Sequence, residues 1–117
     1  YLRNEKPQVE THTPITQVIF EISSKRLGCT AVLDQDRLIG IITDGDLRRM
    51  LQKNIELKNI VASDVMTTSP KTILPSSLVA DALDVMRSNN ITQLLVTENG
   101  IYLGVIHLHD ILKEGVV

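Results

Sequence analysis

Apolar positions along the chain follow two spacings, one helical and one strand-like, and the same succession of the two occurs twice. Ile15, Val18, Ile19 and Ile22 fall at i, i+3, i+4 and i+7, which places them on one face of a helix. Val79, Ala82, Leu83 and Met86 repeat that spacing. A short strand is predicted ahead of each helix, over Gln8 to Glu10 and over Thr72 to Leu74, followed by a polar, proline-containing turn. The first helix is expected to stop at Leu27-Gly28, because glycine suits the left-handed position after a helix. The second is expected to stop at Asn89-Asn90, with asparagine as the usual substitute. Two apolar runs follow each helix. Thr30 to Leu33 and Leu38 to Thr43 flank Asp34-Gln35-Asp36-Arg37, and Leu94 to Thr97 and Ile101 to Ile106 flank Glu98-Asn99-Gly100. Polar loops of this length between such runs predict hairpins. A closing helix begins near Asp44 and again near Leu108.

The order is therefore β-α-β-β-α, twice, a mixed α+β fold. An offset of 64 residues superposes the copies: Gly40 falls on Gly104, Ile42 on Ile106, Asp46 on Asp110 and Ser24 on Ser88. Conservative pairs such as Val9 with Ile73 and Leu47 with Ile111 keep the apolar phase without a gap. Repeat 1 is read as residues 1–53, a connector as 54–63 and repeat 2 as 64–117. Asp64-Val65-Met66-Thr67 opens the second copy. One copy, of about 50 residues, is too small to bury its sheet and helices well. Two copies are expected to pack with pseudo-twofold symmetry and share a core, with a ligand cleft between them.

Composition narrows the function classes. Hydrophobic residues make up 43% of the chain and aromatic residues only 3%, so the core is aliphatic. Few aromatic rings and a net charge of −2 argue against nucleic acid as the partner. No apolar run reaches the ~20 residues that span a bilayer, and no signal-peptide pattern opens the chain. The single cysteine, Cys29, precludes an intramolecular disulfide and points to a reducing, cytoplasmic setting. Its position before a core strand predicts a buried, inert thiol. Because the chain opens with Tyr1, it is read as a fragment.

Polar groups converge where the third strand of each copy meets the closing helix. In the first copy the segment is Thr43-Asp44-Gly45-Asp46-Leu47-Arg48-Arg49. A helix N-terminus supplies free N–H groups and a positive dipole end, to which Thr43 could add a hydroxyl for a phosphate. Asp46 could accept from ribose hydroxyls. The same spacing also describes helix capping, with Thr43 as the N-cap and an acid three residues on, and the two roles are compatible. Asp44 belongs to the same cap region. Arg48 and Arg49 oppose the helix dipole at this end, so local helix energetics do not account for the pair. They are read as solvated residues or as binders of phosphate or carboxylate.

In the second copy His107 replaces Thr43, His109 follows, and Asp110 holds the place of Asp46. The two histidines are read as ligand-binding or capping groups. Their spacing across a strand-to-helix junction suits a metal poorly, so no metal site is expected. His12 is placed in a solvated turn. No nucleophile–base pair, Walker loop or paired-carboxylate pattern is present, and no catalytic residue is assigned.

The doubled unit, with Gly-h-h-Thr-x-x-Asp closing its third strand (h, apolar), resembles the cystathionine-β-synthase-type (CBS) domain pair, or Bateman module. Such pairs generally bind adenosine-containing nucleotides through the Thr and Asp of the motif, which implies Thr43, Asp46 and Asp110 here. His107 departs from the usual Thr or Ser. Thr43-Asp44-Gly45-Asp46-Leu47-Arg48-Arg49, His107-Leu108-His109-Asp110 and Gly115-Val116-Val117 resemble the C-terminal module of bacterial D-arabinose-5-phosphate isomerases. That resemblance implies a regulatory module without catalysis of its own. It also implies a nucleotide or nucleotide-sugar ligand such as CMP-Kdo, an attached sugar-isomerase domain and a homodimer of CBS pairs. Arg48, Arg49, His107 and His109 would suit the charge of such a ligand. Two other readings stand beside it: a dimerisation scaffold that binds nothing, and a nucleotide-binding CBS pair of a transporter or dehydrogenase.

Overall fold

The computed structural model describes residues 6–53 and 56–113. The chain divides into two compact units: Pro7–Pro70, and Lys71 to the C-terminal end together with Lys6.

The first unit is a four-stranded sheet in the order β1-β2-β3-β4. Strand β1 (Gln8–Glu10) runs parallel to β2 (Cys29–Asp34), and β2 pairs antiparallel with β3 (Arg37–Thr43). Helix α1 (Ile15–Lys25) buries Ile15, Val18 and Ile22 against Val9, Val32 and Ile42, the face that its apolar spacing predicts. Helix α2 (Asp44–Lys53) closes the motif and adds Leu47 and Met50 to this core. Gln35 and Asp36, at the turn of the β2–β3 hairpin, both take positive φ, 51° and 69°. That is the primed geometry which matches the twist of the strands it joins.

The second unit repeats the plan. Strand β5 (Thr72–Ile73) is parallel to β6 (Gln93–Glu98), β6 pairs antiparallel with β7 (Ile101–His107), helix α4 spans Val79–Asn89 and helix α5 spans Leu108–Lys113. Each of α4, β6 and β7 begins and ends 64 residues after its counterpart α1, β2 or β3. Even the register irregularity recurs. Val32 faces Gly40 and Leu33 faces Leu38, skipping Ile39; Val96 faces Gly104 and Thr97 faces Tyr102, skipping Leu103. A bulge bends and twists a strand at a chosen point, so its repetition keeps the two junctions in matching geometry.

The first helix ends two residues earlier than expected: Arg26, not Gly28, is the left-handed cap, with φ 61°, and its N–H donates to the Ile22 carbonyl. Gly28 is left-handed too (φ 73°), so the glycine serves the loop that follows rather than the cap itself. Asn90 caps α4 as expected. The stretch read as a connector leads into further elements of the first unit. Ala62–Val65 forms a short helix, α3, and Thr67–Thr68 forms β4, which pairs with Gly40 and Ile41 at the edge of the first sheet. The residues that open the second copy in sequence thus complete the first unit's sheet. Gly40 is what allows this, since a Cβ there would lie 2.7 Å from Met66 Sδ and 3.0 Å from the Thr67 carbonyl oxygen.

Among the described residues no helix is long and apolar enough to cross a membrane.

Candidate functional site

Strand β3 delivers Thr43 to the mouth of α2, and the hairpin register fixes its height. The Asp44 N–H donates to the Gly28 carbonyl at 3.0 Å. The second unit keeps that anchor at the same offset, with the Leu108 N–H donating to the Thr92 carbonyl at 2.8 Å. Both junctions are therefore held by their own sheets before any side chain contributes.

At the first junction Thr43 and Asp46 bind each other reciprocally. The Thr43 N–H donates to Asp46 Oδ2 at 2.9 Å, and the Thr43 hydroxyl donates to the same oxygen at 3.1 Å. The Asp46 N–H in turn donates to Thr43 Oγ1 at 3.2 Å. This is a capping box, so the capping role read from the spacing is realised. The other carboxylate oxygen, Oδ1, accepts from the Arg49 guanidinium and from the Thr67 hydroxyl, the latter at 3.4 Å. Asp46 is 7% exposed, and a carboxylate taken out of water to that degree needs such partners.

Arg48 and Arg49, adjacent in sequence, have different surroundings. Arg49 has a local explanation: it pairs with Asp46 three residues back along α2, and its guanidinium lies over Gly45. The Arg48 side chain is exposed, and among the described residues it takes part in none of the cluster's hydrogen bonds. Asp44 is exposed in the first turn, where a carboxylate favours the helix dipole. It also sits close enough to Cys29 to add to the effect of burial. Together these push the fully buried Cys29 thiol up to about 12, which makes it the inert thiol expected.

Thr67 joins this candidate cluster, and the sequence reading missed it. It lies 21 positions from Asp46 and reaches it only because β4 joins the sheet at β3. Beside this cluster is an open hollow of about 420 Å³ lined by Asp46, Arg49, Lys53 and Asp64, among others. Lys53 and Asp64 flank the stretch read as a connector, and only the folding of α3 back toward α2 brings them here.

The second junction is built differently. The His107 N–H donates to Asp110 Oδ2 at 3.3 Å, matching the bond from Thr43 to Asp46. His107 Nδ1 accepts from the His109 N–H at 3.1 Å, so an imidazole takes over the capping duty of the threonine hydroxyl. The two histidine rings stack, centroids 4.9 Å apart and 8° from parallel. Partial burial lowers the His107 pKa from the ordinary imidazole value, and His109 lowers it further; Asp110 pulls the other way with a smaller effect. At neutral pH the His107 ring is a neutral acceptor and donor, as the threonine hydroxyl is, and the second junction has no counterpart of the charged Arg49–Asp46 pair among the described residues. Thr43, Asp46 and Arg49 form one group with Thr67, and His107, His109 and Asp110 form the other. His12 is exposed in the turn after β1 and belongs to neither.

Two copies of one β-α-β-β-α plan, each presenting a capped strand-to-helix junction with an acid three residues into the closing helix, define a tandem module built from a duplicated unit. The chain belongs to the CBS domain family, which matches residues 3–53 and 61–116. It is 43% identical over 114 residues to the arabinose 5-phosphate isomerase KdsD of Yersinia pestis, and 36% identical over 115 residues to that of Escherichia coli K12. An uncharacterized protein of Rickettsia prowazekii is 44% identical over 114 residues. In each case 97% of this chain is covered and 35% of the relative, so the chain spans about a third of the length of the curated relatives it matches. Among solved structures, a putative signal-transduction protein with CBS domains from Burkholderia ambifaria superposes with a TM-score of 0.85 at 23% identity, over 97% of this chain and 84% of that one. A CBS domain protein of Pyrobaculum aerophilum complexed with AMP gives 0.83 at 22% identity, over 99% and 96%. These two likenesses establish the fold.

Proposed function

We propose that the chain is the ligand-sensing regulatory module of an arabinose-5-phosphate isomerase, and that it binds a nucleotide or nucleotide-sugar at its strand-to-helix junctions. The observation that carries this reading is the pairing of the two unlike junctions with the 36–43% identity to KdsD isomerases along nearly the whole chain. Thr43, Asp44, Asp46, Arg48 and Arg49 form the proposed binding set of the first junction, and His107, His109 and Asp110 that of the second. AMP in the complex of the Pyrobaculum protein makes an adenosine-type ligand the simplest alternative, and a sugar nucleotide such as CMP-Kdo adds a carboxylate for the arginines. In this reading a phosphate draws Arg49 away from Asp46, and a ribose hydroxyl replaces Thr67 on Oδ1. The ligand then biases an attached sugar-isomerase domain through its different affinity for two states of the module. Assembly as a homodimer of CBS pairs is part of the same proposal.

One observation favours a second reading, a scaffold that binds nothing. Among the described residues no buried side-chain polar atom lacks a partner, so the junctions are complete without a ligand. Thermal shift and calorimetry with CMP-Kdo, CMP, AMP, ATP and S-adenosylmethionine separate the two. A ligand at 100 times its dissociation constant stabilises the module by about 2.7 kcal/mol. No shift with any of the five decides for the scaffold.

A further inference from the structure

The two hairpins share a geometry and differ in the chemistry at the tip. The first turns on Gln35-Asp36, and at the 64-residue offset the second turns on Asn99-Gly100. Asn99 and Gly100 both take positive φ, 54° and 79°, between Glu98 and Ile101, which face each other across β6 and β7. This is the two-residue primed turn that an Asn-Gly pair favours. Asparagine followed by glycine is also chemically labile, because an N–H with no Cβ beside it can attack the asparagine side-chain amide.

Such an attack needs the next residue's N–H to be free. Asn59 precedes Ile60, whose N–H donates to the Leu57 carbonyl at 3.3 Å. Asn90 precedes Ile91, whose N–H donates to the Met86 carbonyl at 2.9 Å. In both, the branched isoleucine side chain crowds the nitrogen as well. Asn89 precedes Asn90, whose N–H donates to the Arg87 carbonyl at 3.3 Å, and Asn89 Nδ2 itself donates to the Val85 carbonyl at 2.8 Å. At these three positions the nucleophile is held. Asn99 differs on each count. Among the described residues neither its side-chain amide nor the Gly100 N–H makes a hydrogen bond. Both residues are exposed, and a Cβ built on Gly100 would meet nothing within 4 Å.

We infer that Asn99-Gly100 is a site of spontaneous covalent modification, at which the second hairpin converts to aspartate and isoaspartate and is loosened by the latter. The Gly100 nitrogen gives up its proton and attacks Asn99 Cγ. The N–Cγ bond forms, the Cγ–Nδ2 bond breaks, and the amide leaves as ammonia with the proton, which closes a five-membered succinimide. Water then opens the ring. Attack at Cγ restores the ordinary backbone with an aspartate side chain, whereas attack at the α-carbonyl carbon routes the backbone through Cβ and lengthens it by a methylene. The aspartate product keeps the turn, since aspartate tolerates the left-handed conformation as asparagine does. The isoaspartate product stretches a loop whose two residues set the β6–β7 register, in the hairpin that ends at His107. The first unit's tip offers no amide so placed, because Gln35 would have to close a six-membered ring, a slower step. No ligand enters the reaction, so it is decided separately from the ligand titrations.

Storage of the chain in mildly alkaline buffer, followed by ion exchange and peptide mapping, tests the inference. Each conversion adds one negative charge to a chain of net charge −2. Asn99 is expected to convert at least tenfold faster than Asn59, Asn89 or Asn90, within tenfold of its own rate in urea, and to give both products. An Asn99 amide that survives folded storage while the urea-unfolded chain converts overturns the inference, as does earlier conversion at any of the other three. Aspartate without isoaspartate overturns the ring mechanism. Asn99→Asp supplies the ordinary product for comparison. The purified isoaspartate form is expected to melt below it, and an equal Tm overturns the loosening of the hairpin.

Discussion

Asp46 and Thr43 hold each other in both directions: the carboxylate accepts from the Thr43 amide and hydroxyl, and the Thr43 oxygen accepts from the Asp46 amide. The carboxylate has two further partners, Arg49 and Thr67, so it is the busier member of the pair. Unequal costs follow for removing them. Thr43→Ala deletes a cap and is expected to lower stability by about 1 kcal/mol. Asp46→Ala also strips the acceptor from Thr67 and Arg49 and is expected to cost about 2–3 kcal/mol, with Arg49→Ala well below either because Arg49 is largely exposed. Urea denaturation of the three variants checks the order; Arg49→Ala costing as much as Asp46→Ala would contradict it.

Gly40 tests whether β4 belongs to the first sheet. Gly40→Ala puts a methyl against Met66 Sδ and the Thr67 carbonyl oxygen, and is expected to destabilise by roughly 1–3 kcal/mol. Met66→Ala in the same chain should restore only part of the loss. The thioether is a movable side-chain end, whereas the Thr67 carbonyl is backbone and stays 3.0 Å away. Full rescue would mean that β4 is not held at the edge of β3.

The left-handed cap at Arg26 carries a penalty that glycine does not. Arg26→Gly is expected to raise stability by roughly 0.5–1 kcal/mol, because φ 61° costs nothing without a Cβ and the position is outside the helix interior. A lower denaturation midpoint would show that the arginine side chain contributes more than its backbone costs.

His107 makes stability depend on pH in a defined direction. Its pKa is lowered in the folded state, so below the ordinary value of 6.5 the unfolded chain binds the proton more readily. The stabilisation is complete above 6.5 and is lost as pH falls through the folded value. His107→Gln is therefore expected to flatten the decline in Tm between about pH 7 and pH 5 relative to the unaltered chain. Parallel curves for the two proteins would remove His107 as the cause.

Cys29, buried and with its pKa near 12, is expected to resist a thiol reagent at neutral pH in the folded protein and to react fully once urea unfolds it. Rapid labelling without denaturant would contradict the burial.

The repeat itself was legible in the sequence, because the offset of 64 residues fixes the apolar phase of both helices and both hairpins. Periodicity reports which face of an element is buried, and Ile15, Val18 and Ile22 needed nothing more. The reciprocal cap at Thr43 and Asp46 was also local, a three-residue relation that any helix start can express. What lay beyond the sequence was every pairing between distant segments. Thr67 meets Asp46, Met66 presses on Gly40 and Ala62 enters the first core because β4 and α3 fold back over a unit they follow in sequence. A connector's composition records that it is partly apolar but not which surface it covers. That surface exists only after the sheet and α1 have assembled. The two copies therefore look alike in sequence phase, and only tertiary structure shows that the first core is closed by the segment that follows it.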